Sequence, residues 1–111
     1  MTGHLNRYHR PMKRHLITLG ARTTADGVVS SASSFMSVDG ARVALEGDEV
    51  SCHACGSTGL IRCTGPRTPE RFNGRLLALE NDECVCNCGT PPRLVPSQTL
   101  RYQTVDDSAA V

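Results

Sequence analysis

A chain of 111 residues has room for one ordinary domain and not for two. With no Trp, two Phe and two Tyr its core is modest, so a staple such as a metal or a crosslink would help to hold it. Twelve basic residues against eleven acidic ones leave a formal charge of +1, which argues against a general nucleic-acid surface built on a basic excess.

In chain order, the opening "MTGHLNRYHRPMKRH" is polar and basic and lacks the apolar run of a signal peptide. No later stretch approaches the length that spans a bilayer. The expectation is a chain made in the cytosol, with no stable membrane insertion. His4, His9 and His15, set among Arg7, Arg10, Lys13 and Arg14, read as a solvated arm, so residues 1–14 are drawn as a basic leader. From there apolar residues do not recur at helical spacing. Gly, Ser, Thr, Pro and Asp instead break short β-branched runs at close intervals, which predicts strands over 15–19, 28–30, 35–38, 42–45, 60–63 and 75–79 and an all-β fold. The β domain is drawn over 15–96, and 97–111 as a polar tail too short for a further domain.

A repeat lies within that domain. "VDGARVALEGDEVSC" (38–52) aligns without a gap on "FNGRLLALENDECVC" (72–86), matching Gly40 with Gly74, Val43 with Leu77, Ala44 with Ala78, Leu45 with Leu79, Asp48 with Asp82 and Cys52 with Cys86. A weaker third copy runs from Leu16 to Gly27, with Gly20 in the place of Gly47 and Ala25 in that of Cys52. Such a unit has too little apolar surface to fold alone and packs against its own copies. Asp39-Gly40 and Asn73-Gly74 predict tight hairpins. In the strands that follow, Val43 and Leu45 face one way with Ala44 opposite, and Leu77 and Leu79 repeat this around Ala78. Each strand leads through an acidic turn to a cysteine, which gathers cysteines at one end of the molecule.

The chain has six cysteines. In a reducing compartment they point to metal ligands ahead of a disulfide framework, with free thiols or redox chemistry as the remaining alternatives. Cys52-x-x-Cys55-Gly has the spacing of a zinc knuckle, whose two thiolates reach one tetrahedral ion. Cys86 is the repeat partner of Cys52, and Cys88 follows two residues on, so Cys52, Cys55, Cys86 and Cys88 are the first choice for a four-thiolate zinc site. Cys84 is the rival ligand, although its repeat equivalent Val50 marks an inward apolar position. His53 is a further alternative ligand, read more readily as exposed or as a supporting donor. Cys63, on one face with Ile61, reads as a packed thiol.

"DGARVALEGDEVSCHACG", "NGRLLALENDECVCNCG" and "LGARTTADGVV" together resemble the proline-alanine-alanine-arginine repeat (PAAR) proteins, which cap the spike of the bacterial type VI secretion system. The resemblance covers about residues 16–95. It implies a small conical domain of three imperfect repeats in a pseudo-threefold arrangement, with zinc fixing the narrow tip. The broad end, near the Gly40 and Gly74 turns, would rest on a trimeric VgrG-type spike, one copy per trimer. It also implies a noncatalytic role in sharpening the spike and in helping to load a separate effector, with or without an adaptor, followed by secretion. The departures are specific: Arg42 and Leu76 stand where the family has Pro, Leu45 and Leu79 where it has Arg, and Ala25 where it often has a ligating His. Two other classes compete. A zinc-ribbon module binding nucleic acid or protein would need two Cys-x-x-Cys knuckles, and this chain has Cys84-x-Cys86-x-Cys88 in place of the second. A thiol oxidoreductase would need Cys52-x-x-Cys55 to open a helix in a βαβ context, which the pattern lacks.

Overall fold

The computed structural model describes residues 11–106, so His4, Arg7, His9 and Arg10 of the expected leader, and 107–111 of the expected tail, lie outside the described residues. At the centre are three short segments, Leu16-Ile17-Thr18, Val43-Ala44-Leu45 and Leu77-Ala78-Leu79, every residue of them buried. They bond to one another in a closed cycle. Ile17 N–H donates to Ala78 C=O (3.0 Å), Ala78 N–H to Ala44 C=O (3.0 Å), and Ala44 N–H to Ile17 C=O (2.8 Å). A second cycle lies beside it, from Leu19 N–H to Arg42 C=O, Glu46 N–H to Leu76 C=O, and Glu80 N–H to His15 C=O. Each copy therefore supplies backbone partners to the next, and pairs buried peptide groups that no single hairpin could reach.

After each segment the chain turns through a residue of positive φ, Gly20, Gly47 or Asn81, and enters a hairpin. The three hairpins are β2–β3 (Arg22–Thr23, Val28–Val29), β6–β7 (Glu49–Cys52, Ser57–Arg62) and β10–β11 (Glu83–Val85, Leu94–Val95). They form one antiparallel sheet in the order β10-β7-β6-β3-β2-β11. A bridge between Glu83 and Arg93, with Cys84 N–H donating to Pro92 C=O at 2.8 Å, joins the two outer strands, so the sheet closes on itself and leaves no long free edge.

Before each segment lies a two-stranded ribbon: β4–β5 (Ser37–Val38, Ala41–Arg42), β8–β9 (Arg71–Phe72, Arg75–Leu76), and β1–β12 (Pro11–His15, Tyr102–Asp106). The third ribbon is assembled from parts of the chain expected as leader and tail. It carries the bond that defines the others: Leu16 N–H donates to Arg101 C=O as Val43 N–H does to Met36 and Leu77 N–H to Glu70. Arg14, expected in a solvated arm, is buried there. Its guanidinium meets Asp82 Oδ1 at 3.0 Å and donates to the carbonyls of Glu80, Thr64 and Pro66, which compensates its desolvation.

The segments also divide the core. Their central residues Ile17, Ala44 and Ala78 join Ala21, Val29, Val50, Ile61, Cys52, Cys84 and Leu94 on one side. The flanking Leu16, Val43, Leu45, Leu77 and Leu79 join Val38, Met36 and Phe72 on the other. The alternation around Ala44 and Ala78 thus separates a cysteine-bearing half from a ribbon half. Among the described residues there is no helix, and none long and apolar enough to cross a membrane.

Candidate metal centre

Two of the three hairpin connections carry cysteines to the same place. Cys52 closes β6 opposite Ser57, with Cys55 in the turn between them, while Cys86 and Cys88 lie in the connection between β10 and β11. The Sγ atoms of Cys52, Cys55, Cys86 and Cys88 all lie within 4.8 Å of one another, and those of Cys52 and Cys88 are 3.6 Å apart. Four thiolates around a tetrahedral zinc at about 2.3 Å would be spaced about 3.8 Å apart, so the donor set and its spacing fit such an ion after small adjustments. Cys52 is buried and the other three half-buried, a site shielded on the core side and reachable from outside.

Two of the four thiols are shifted in opposite directions. Cys55 is drawn down to about 6, first by its hydrogen bond with Ser57, whose Oγ is 3.0 Å from the sulfur. Cys88 is pushed up, because its hydrogen bonds to Cys52 and Cys86 favour the thiol over the thiolate. A cation among them would allow all four to ionise together.

The remaining candidates fall outside the cluster. Cys84 is fully buried, paired with Ile61 across β10 and β7, and pushed up to about 12, first by burial and then by the charge of Cys86. It occupies the inward position that its repeat equivalent Val50 also holds. His53 is exposed in the turn beside Cys52. Cys63 lies beyond the end of β7, half-buried, with its sulfur 3.8 Å from Leu77 C=O, and burial raises it to about 12. Where the third copy has Ala25, the β2–β3 connection closes on itself: Thr23 Oγ1 accepts from Ala25 N–H at 3.1 Å and Gly27 N–H at 2.9 Å.

Two residues that sequence reasoning passed over shape the site. Ser57 ties the two cysteine loops together, touching Cys55 and accepting from Asn87 N–H at 3.4 Å. Gly59, buried in mid-strand, leaves no space for a side chain: a Cβ there would stand 2.6 Å from Cys84 Sγ, 2.8 Å from Val85 O and 3.0 Å from Cys86 Cβ. A glycine inside a strand is the signature of such a close approach, and that signal was present in "STGLI". Gly40 and Gly74, expected to face a partner, sit at the tips of their ribbons with open space around them.

No curated protein and no solved structure matches this chain. A family model described as the PAAR motif matches residues 19–90, a span that contains the central segments 43–45 and 77–79, the β2–β3 and β6–β7 hairpins, strand β10 and all six cysteines. The two clear copies and all six cysteines lie where that model matches, and the chain belongs to the PAAR-motif family.

Proposed function

We propose that this chain is a noncatalytic tip for the type VI secretion spike: a monomer of three pseudo-threefold copies that caps a trimeric VgrG-type β-helix, one copy per trimer. In this reading zinc, held by Cys52, Cys55, Cys86 and Cys88, pins the narrow end. The observation that carries it is the closed cycle in which Ile17, Ala44 and Ala78 bond to one another. A single chain that repeats one bonding pattern around a ring can present three equivalent contacts, and the end of a homotrimer requires that number. The family match adds a spike-associated setting.

The ion would supply structure. Four thiolates crosslink two hairpin connections that are otherwise joined near the tip by the Ser57 contact, and an all-sulfur set leaves no open position for substrate. The chain would be made in the cytoplasm and exported on the spike, with an effector or adaptor as a further partner. The test is to purify the full chain under reducing conditions with a trimeric VgrG-type spike protein from the same source, then measure zinc and native mass. One zinc and one copy per trimer are expected. Absence of metal would remove the zinc assignment, and a three-to-three assembly would remove the single cap.

A further inference from the structure

The ribbon half carries exposed apolar residues at equivalent places in all three copies. Equivalence is set by the backbone: the carbonyls of Met36, Glu70 and Arg101 accept from Val43, Leu77 and Leu16 at 2.8, 3.0 and 3.1 Å. The residues immediately before those acceptors are Phe35, Pro69 and Leu100. Phe35 is 80% exposed and Leu100 66%, the two most exposed large apolar side chains among the described residues, and Pro69 is exposed as well.

Just upstream of each, a side chain fixes the chain against its central segment. Ser34 Oγ donates to Val43 C=O at 2.6 Å, Arg67 to Leu77 C=O at 3.1 Å, and Gln98 to Leu16 C=O at 2.9 Å. The backbone is anchored while the apolar side chain stays outside. Phe35 is further oriented by Phe72, with ring centroids 5.5 Å apart at 81°. A single exposed leucine needs no explanation. Recurrence of an exposed apolar residue at one position in all three copies does, because it persists between a small hydroxyl residue (Ser34, Thr68, Thr99) and a following residue that changes character from copy to copy (Met36, Glu70, Arg101).

We propose that Phe35, Pro69 and Leu100 are the anchors by which the chain grips a homotrimer, each entering the same apolar pocket on a different subunit. The inference rests on the cap reading above and names the residues that make the contact. A partner with one pocket would use one anchor, whereas three equivalent positions around a cycle can be engaged together only by three equivalent pockets around an axis. Once one anchor docks, the other two bind intramolecularly, so modest contacts add to a firm grip. The anchors are unequal, and Phe35, aromatic and braced, carries the largest share.

The test measures binding of the full-length chain to a trimeric VgrG-type β-helical spike protein from the same source, for wild type, Phe35→Ser, Phe35→Leu, the double variant Phe35→Ser with Leu100→Ser, and Leu60→Ser. Leu60 is 50% exposed but lies on β7 of the closed sheet, so it serves as a control of similar character. Melting temperature and zinc content verify that every variant is folded. Phe35→Ser should weaken binding about tenfold or more and the double variant about a hundredfold, with Phe35→Leu in between and Leu60→Ser within about twofold. Wild-type binding that the double variant retains undiminished would overturn the anchors and leave the cap reading standing. No binding by wild type would overturn the cap reading, and the anchors with it.

Discussion

At the scale of single residues the cysteine end is organised by what cannot be changed. Structural zinc in small sites contributes about 10–16 kcal/mol, comparable to the roughly 5–15 kcal/mol net stability of a domain. Cys52→Ser or Cys86→Ser is therefore expected to lose zinc and much of the fold, and Cys63→Ala, whose sulfur touches Leu77 C=O, to keep the metal; elemental analysis and thermal melts decide. Gly59→Ala would force a methyl group against Cys84 Sγ and Val85 O, so it should cost about 1–3 kcal/mol and weaken zinc retention although residue 59 carries no ligand. The two repeated aspartates form a second pair of fixed points. Asp48 Oδ2 accepts from Leu45 N–H and Asp82 Oδ2 from Leu79 N–H, each at 2.7 Å. Burial raises the Asp48 pKa, but bonds from the Ser33 side chain, the Leu45 and Ser33 N–H groups and the Ser31 side chain outweigh it and leave the group below its usual value. A carboxylate depressed in the folded state stabilises above its unfolded pKa, and that contribution is lost as pH falls through the folded one. The stability gap between wild type and Asp48→Asn should thus be full at pH 7 and close below about pH 4, as read from denaturant melts across pH. Asp82 is the more severe site, since Asp82→Ala leaves the buried Arg14 and the half-buried Arg67 without their carboxylate, a loss of about 3–5 kcal/mol.

At the scale of elements, the ribbons and the hairpins are separable. Both central residues of each ribbon turn have positive φ, Asp39 54° and Gly40 82°, Asn73 51° and Gly74 82°, the geometry of the tight turn that Asp-Gly and Asn-Gly predict. Gly40→Val and Gly74→Val should each cost about 1–3 kcal/mol of backbone strain yet leave zinc content unchanged, because the ribbons pack on the flanking residues of the central segments and the cysteines on their central residues. Zinc loss from the double variant would show that the two halves are coupled. The turns, the inward Val50 and Cys84 and the alternation around Ala44 and Ala78 were legible because each is a local pattern. Strand limits were less so. Runs expected over 15–19, 42–45 and 75–79 leave their ribbons at His15, Arg42 and Leu76, since the next residues bond to the other copies, and no local alternation records a partner that far along the chain. The burial of Arg14 was hidden for the same reason: its neighbours Thr64, Pro66, Glu80 and Asp82 come from another copy, and a basic run looks solvated until they are placed around it.

At the scale of the molecule, two ribbons are closed by two-residue turns and the third by the meeting of β1 with β12, whose pairing runs from His15 opposite Tyr102 to Pro11 opposite Asp106. If the three copies are equivalent, the ring should still form whichever ribbon is left open. A circular permutant tests this: Val111 is joined to Met1, so that residues 107–111 and 1–10 become the loop of the third ribbon, and the chain is opened between Asp39 and Gly40. The permutant should fold to the same β structure by circular dichroism and bind the same amount of zinc, because the cycle through Ile17, Ala44 and Ala78 and both cysteine connections are untouched. Its stability should fall, since β4 and β5, with two residue pairs between them, lose the turn that holds them in register while the five pairs of β1 and β12 gain a link they do not need. Opening instead between Asn73 and Gly74 should give a similar loss, because that ribbon also has two pairs. If one permutant folds and the other does not, the copies are unequal in holding the ring together, and the equivalence that the single-cap reading depends on would fail at the ribbon that cannot be opened.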